Sequence, residues 1–165
     1  MKVTSTAIQN GKIADIYGKR GPADPYGIPS LSPPLEFTGA PEGTVSYAVI
    51  VEDKDAFPVS GGFSWIHWLA ANITRPALQE GESRKADFVQ GLNSWISPQG
   101  GSKPQKACCY YGGMCPPDGE HVYEFHVYAL DTMLDLKDGF GLGELARAMD
   151  GHILAQDTLK GTYGV

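Results

Sequence analysis

Three apolar stretches, rich in β-branched and aromatic residues, dominate this chain: Thr44–Asp53 (TVSYAVIVED), Phe63–Ile73 (FSWIHWLAANI) and Glu120–Leu130 (EHVYEFHVYAL). Each has the length of a strand, and Pro/Gly loops lie between them. Such side chains suit a pleated, largely buried surface. The 21 glycines and 12 prolines among 165 residues reinforce this, because they favour turns and short strands over long helices. The chain therefore reads as one β-rich domain over residues 1–165, with no internal repeat and no linker. A chain of this size buries roughly 70% of its unfolded surface.

Smaller elements surround these strands. Asn10-Gly11 between two short apolar segments predicts a hairpin. Gly18–Pro34, with five prolines, predicts a loop. Lys54–Gly62 and Ile96–Lys106 also read as loops, and Asp87–Trp95 as the place of a short strand. Near the end, Leu142, Leu145, Ala146, Met149 and Ile153 recur at three- and four-residue steps, which predicts an amphipathic helix weakened by Gly151. TLKGTYGV then reads as a closing strand.

Charge and cysteine content narrow the function. The net charge is −6 and no Lys/Arg run is present, which argues against nucleic acid or an anionic membrane surface as partner. No apolar run of about 18 residues exists to span a bilayer. Met1 opens a strand-like stretch and not a secretory signal. Three cysteines are an odd number, so reduced thiols and a cytoplasmic location are the expectation.

The segment YGGMCPPDGEHVYEFHVYALD, Tyr111–Asp131, concentrates chemistry-bearing side chains. Strand alternation puts His121, Tyr123, Phe125 and Val127 on one face, and Val122, Glu124, His126 and Tyr128 on the other. One metal ion is therefore not shared by His121 and His126. Cys108 and Cys109 are adjacent and no C-x-x-C occurs, so no zinc site, and no other cofactor, is indicated. Cys115 with His121 has the residue types of a nucleophile and its base, but a small buried thiol is the plainer reading. The glycines of YGGMCPPDG fit either close backbone approach to an anion or a simple connection.

Asp53 and Asp55 end an apolar strand two residues apart. They fit either paired acid–base or cation-binding carboxylates or solvated loop residues. His67 lies inside an apolar strand, with Phe63, Trp65, Leu69 and Ala71 expected on its face. It needs a partner, either a backbone group or a carboxylate.

Four segments in order resemble the phosphatidylethanolamine-binding protein family, and in particular its bacterial and archaeal Raf kinase inhibitor-like branch. They are SPPLEF with GAPEGTVSYAVIVEDKDAF, then WIHWLAANI, then YGGMCPPDGEHVYEFHVYALD, then GHILAQDTLKGTYG. The resemblance implies an all-β fold: a large central antiparallel sheet, a smaller sheet and peripheral helices, one near the C-terminus. It implies an anion pocket holding Asp53, Asp55, His67, Gly113, His121 and Tyr123. Its ligand would be phosphate or a phosphoethanolamine-type headgroup. It places His126 outside that pocket, as a structural or surface residue. Kinase or protease regulation by binding, and a homodimer, are implied by some branches.

A phosphate beside two carboxylates needs compensation. Either an aspartate bonded to His67 or His121 would favour an imidazolium or one aspartate would be protonated; Gly-loop N–H groups would supply neutral donors, and Tyr123 would donate its hydroxyl. The reading is of a binding protein without catalytic residues. The alternative is a hydrolase using Asp53, His67 and His121 in acid–base catalysis. This sequence departs from the family pattern at Lys54, Phe57 and Met114, which stand where prolines are usual, and NSWISPQGGSKPQK looks longer than the usual connection.

Overall fold

All 165 residues are described by the structure, a computed structural model. Ten strands and three short helices follow in order. The strands are β1 (Lys2–Thr4), β2 (Ile8–Gln9), β3 (Lys12–Ile13), β4 (Leu35–Thr38), β5 (Ser46–Asp53), β6 (Trp65–Ile73), β7 (Ala77–Leu78), β8 (Val89–Gln90), β9 (His121–Leu130) and β10 (Ile153–Tyr163). The helices are α1 (Phe57–Ser60), α2 (Gln105–Cys108) and α3 (Leu142–Met149). None is long and apolar enough to cross a membrane.

The large sheet runs β2-β3-β10-β9-β5-β6-β8, and a small one runs β1-β4-β7. All pairings are antiparallel except that of β10 with β3, so the large sheet is mixed. The three predicted strands are its centre. One face of β5, β6 and β9 packs against the small sheet: Val49, Val51, Trp68, Phe125 and Val127 meet Val3, Leu35, Phe37 and Leu78. The other face of β5 and β6 lies under α3, where Ala48, Ile50, Leu69 and Ala71 meet Phe140, Leu145 and Met149. Covering on both faces explains why these two strands are apolar almost throughout. β9 alternates, because Val122, Glu124, His126 and Tyr128 lie on a face that is only partly covered.

The Asn10-Gly11 hairpin forms as expected, with φ of 51° and 77° at its two turn residues. Three expectations are corrected. Lys54–Gly62, expected as a loop, holds α1 (Phe57–Ser60), closed by Gly61 at φ 84°. The C-terminal helix stops at Met149, and Ile153 begins β10 instead of a further helical turn. Gly151, at φ 77°, turns the chain, and the His152 N–H closes the turn on the Met149 carbonyl at 3.0 Å. Pairing along β9 then outweighs the helical spacing. Ile96–Lys106 is also no simple loop: it forms a 3₁₀ turn, Pro98–Gly100, and the start of α2.

Asn72 marks a bulge in β6, with φ at 64°. Its side chain donates to the Leu134 carbonyl at 2.9 Å and accepts from the Leu134 N–H at 2.7 Å. Asparagine suits both the left-handed backbone and the clamp. Replacing Asn72 with Ala removes both and is expected to destabilise the fold by about 2 kcal/mol, read as a lower urea midpoint at unchanged slope.

Candidate functional site

A cavity of about 280 Å³ opens at the end of the large sheet where β5 finishes and β9 starts. In the sheet register Asp53 lies opposite Tyr123 on one side and opposite Trp65 on the other. Strand alternation turns Asp53, His121 and Tyr123 into the cavity together, as the β9 pattern predicts. His67 arrives differently. Val51 pairs with Trp68 and Glu52 with Ile66, which leaves His67 as the extra residue of a bulge. His67 therefore lines the cavity beside Trp65, while Trp68 and Ala70 continue on that same core face. Leu69 and Ala71, expected on the face of His67, lie under α3 instead.

Asp53, His67 and His121 are 3%, 3% and 4% exposed, and Tyr123 is fully buried. Buried charges must be compensated. The Asp53 carboxylate accepts from His121 Nδ1 at 2.7 Å and from the Ala56 N–H at 3.1 Å. The other ring nitrogen of His121, Nε2, bonds the more exposed Asp118 at 2.9 Å. Burial works against a charge on His121, but the hydrogen bonds to Asp53 and Asp118 outweigh it, and the pKa is raised. His121 is thus held between two carboxylates that favour its imidazolium form.

His67 has the opposite habit. Its Nδ1 lies 2.5 Å from the Gly112 carbonyl, which can only accept, so Nδ1 carries a hydrogen. Burial pushes its pKa down, against the pull of that carbonyl and of the Asp53 charge. Neutral His67 therefore presents a bare Nε2. This atom, the Tyr123 hydroxyl and the Trp95 indole N–H are the buried side-chain polar atoms that have no partner in the protein. All three belong to residues that line the cavity. The Tyr123 hydroxyl stays protonated, since burial first and the Asp53 charge second raise its pKa.

Four of the six expected site residues meet here: Asp53, His67, His121 and Tyr123. Asp55 and Gly113 do not line the cavity. Asp55 is exposed and accepts the Val122 N–H at 2.8 Å, tying the loop after β5 to β9. The Gly-loop amides are not free donors either. The Gly112 N–H bonds the His67 carbonyl and the Gly113 N–H bonds the Pro29 carbonyl, each at 2.8 Å. Both glycines serve packing: a Cβ on Gly113 would stand 2.3 Å from the Tyr17 carbonyl oxygen, and one on Gly112 would stand 2.6 Å from the Trp95 ring.

Lys54 also leaves the cavity. Its ammonium lies 2.6 Å from Glu124 and 3.3 Å from Glu52 on the outer face of the sheet. There His126 joins the same two carboxylates at 3.0 and 3.3 Å, consistent with a structural role outside the pocket. Trp95 and Gln99 were not legible as cavity residues, although they lie in the long NSWISPQGGSKPQK segment, where a tryptophan in a polar stretch is the available signal. Asp118, three residues before His121, was missed as well. Cys115, read as a buried thiol, is exposed at the cavity wall.

The two histidines give stability opposite dependences on pH. His121 holds its proton more tightly folded than unfolded. Its contribution is complete below the ordinary value of about 6.5 and fades as pH climbs through the raised folded value. His67 contributes fully above about 6.5 and loses that contribution as pH falls through its lowered folded value. The stability advantage of the wild type over His121→Asn, measured by urea unfolding, should therefore shrink as pH rises above about 6.5. Ring proton NMR should show His121 titrating above His67.

Comparison with known proteins agrees with this architecture. The sequence profile described as "Phosphatidylethanolamine-binding protein" matches residues 4–164. YxkA of Bacillus subtilis, described as uncharacterized, is 44% identical over 140 residues, covering 81% of this chain and 82% of its own. A UPF0098 protein of Chlamydia trachomatis is 36% identical over 165 residues, covering 99% of this chain and 98% of its own. Among solved structures, a phosphatidylethanolamine-binding protein homologue from Chlamydia trachomatis superimposes with a TM-score of 0.79 at 37% identity, covering 98% of this chain and 95% of that one. Escherichia coli YbcL, described as a member of the mammalian family, does so at 0.76 and 27% identity, covering 99% and 98%. With the profile spanning nearly the whole chain and the fold matching throughout, this protein belongs to the phosphatidylethanolamine-binding protein family.

Proposed function

We propose that this protein binds a small phosphate-bearing ligand, a phosphate monoester such as phosphoethanolamine, in the cavity between β5, β6 and β9. The observation that carries this reading is the set of unpartnered groups. A buried polar atom without a hydrogen bond is unfavourable by about 1–3 kcal/mol, and native proteins leave few. Here the residues that carry all three atoms, His67, Tyr123 and Trp95, line one cavity. Two donors and one bare nitrogen match an anion that brings a proton of its own.

The charge balance points the same way. Asp53, His121 and Asp118 carry one positive and two negative charges when His121 is protonated. A phosphate dianion is repelled by that excess, whereas a monoanion is repelled less and offers its P–OH to His67 Nε2. The same complex forms if a dianion binds and His67 takes up the proton. Either way one proton enters with the ligand. The ammonium of phosphoethanolamine would face the exposed Asp118 at the rim. The cavity, at about 280 Å³, suits a headgroup, being at the lower limit of the roughly 300–1,000 Å³ usual for drug-sized ligands.

Calorimetric titration with phosphoethanolamine and with inorganic phosphate tests this. Affinity should be greatest below about pH 6, the second pKa of a phosphate monoester, and fall by up to about tenfold per pH unit above it. Tyr123→Phe should weaken binding by about tenfold or more while leaving the urea midpoint unchanged or higher, because the lost hydroxyl has no partner in the protein. Absence of saturable binding by the folded wild type at millimolar ligand would end the reading, and a Tyr123→Phe variant that binds normally would remove its donor.

A further inference from the structure

Cys115 is the exposed member of the three free cysteines. Burial raises the pKa of the other two: Cys108 reaches about 11, and Cys109 is raised by burial and then by the Asp138 charge. Both are held as thiols, and the thiolate is the reactive form. Cys115 differs in place as well as exposure. It lines the same cavity as His67 and Tyr123, whose Nε2 and hydroxyl are buried and unpartnered.

The backbone on both sides of this thiol is anchored. Met114 is fully buried, and its carbonyl accepts from the Lys19 N–H at 2.7 Å. The Lys19 ammonium donates to the Pro116 carbonyl at 2.9 Å. Pro116 and Pro117 restrict the backbone further. Cys115 therefore cannot carry an attached group far from the cavity by a movement of its own segment.

We propose that Cys115 is a thiol-modification site whose mixed-disulfide adduct fills the cavity and excludes its anion. The co-reactant is a low-molecular-weight disulfide of the oxidised glutathione class. The Cys115 thiolate attacks one sulfur of that disulfide, a new S–S bond forms, and the old S–S bond breaks. The second half leaves as a thiolate and takes a proton from water. Cys115 is oxidised and the departing half is reduced. Excess dithiol reverses the exchange.

The regulatory part of this inference rests on the anion-binding reading, and the test separates the two. Reduced protein is incubated with oxidised glutathione, mapped by peptide mass spectrometry, and titrated with phosphoethanolamine before treatment, after it and after dithiothreitol. The expected result is one adduct, on Cys115, a loss of affinity of about tenfold or more, and full recovery on reduction. Cys115→Ser should be indifferent to the disulfide, its affinity the same before and after treatment. The His67 ring signal in NMR reads cavity filling without any anion and should move with the adduct. An adduct that leaves both affinity and the His67 signal unchanged, or modification confined to Cys108 or Cys109, overturns the proposal. If the reduced protein binds no anion, the function reading fails, and an unmoved His67 signal then sinks the filled cavity as well.

Discussion

The register of β5 between β9 and β6 is the constraint on which the site depends. Asp53 is the last residue of β5 and stands opposite both Tyr123 and Trp65. A slip of one residue would turn Asp53 outward and bring Glu52 to the cavity. The register is held by burial on both faces, through Val49 and Val51 toward the small sheet and Ala48 and Ile50 toward α3. The same packing that stabilises the core thus aims the carboxylate. His67 is the exception, since its place comes from a bulge, the usual device for re-aiming one side chain without moving a strand.

Within the cavity, charge is handled in two ways. The Asp53 carboxylate is compensated by hydrogen bonds from His121 and the Ala56 N–H. His67, with a backbone carbonyl on one nitrogen and nothing on the other, is cheaper to bury neutral. Two histidines beside one carboxylate therefore have pKa values shifted in opposite directions. One supports the carboxylate, while the other keeps an open nitrogen. In this division the positive charge favoured on His121 lies against Asp53, and the rest of the cavity wall carries no acid.

Much of this was legible in the sequence, and the misses have physical reasons. The three central strands follow from apolar runs of strand length, and the β9 face follows from alternation, which placed His121 and Tyr123 together. Alternation failed on β6 because a bulge shifts it by one, and nothing in WIHWLAANI marks the extra residue. Helical spacing through Ile153 failed because cross-strand pairing with β9 outweighed a weak local preference. The glycines of YGGM fit either close approach to an anion or a simple connection, and the space beside them is taken by Tyr17, Pro29 and Trp95.

The sequence by itself determined the fold class, the family resemblance and the residues that carry charge at one end of the sheet. Only the tertiary structure decided which of them face one another. Asp53 and His121 are far apart in the chain, and their bond at 2.7 Å exists because β5 and β9 are neighbours. Asp55 and Gly113 fall outside the cavity because backbone N–H and C=O groups claimed them or their neighbours first. Trp95 and Cys115 border it because their loops fold back over it. Spacing along a chain reports periodicity, but burial, hydrogen-bond competition and protonation depend on neighbours that only the folded chain supplies.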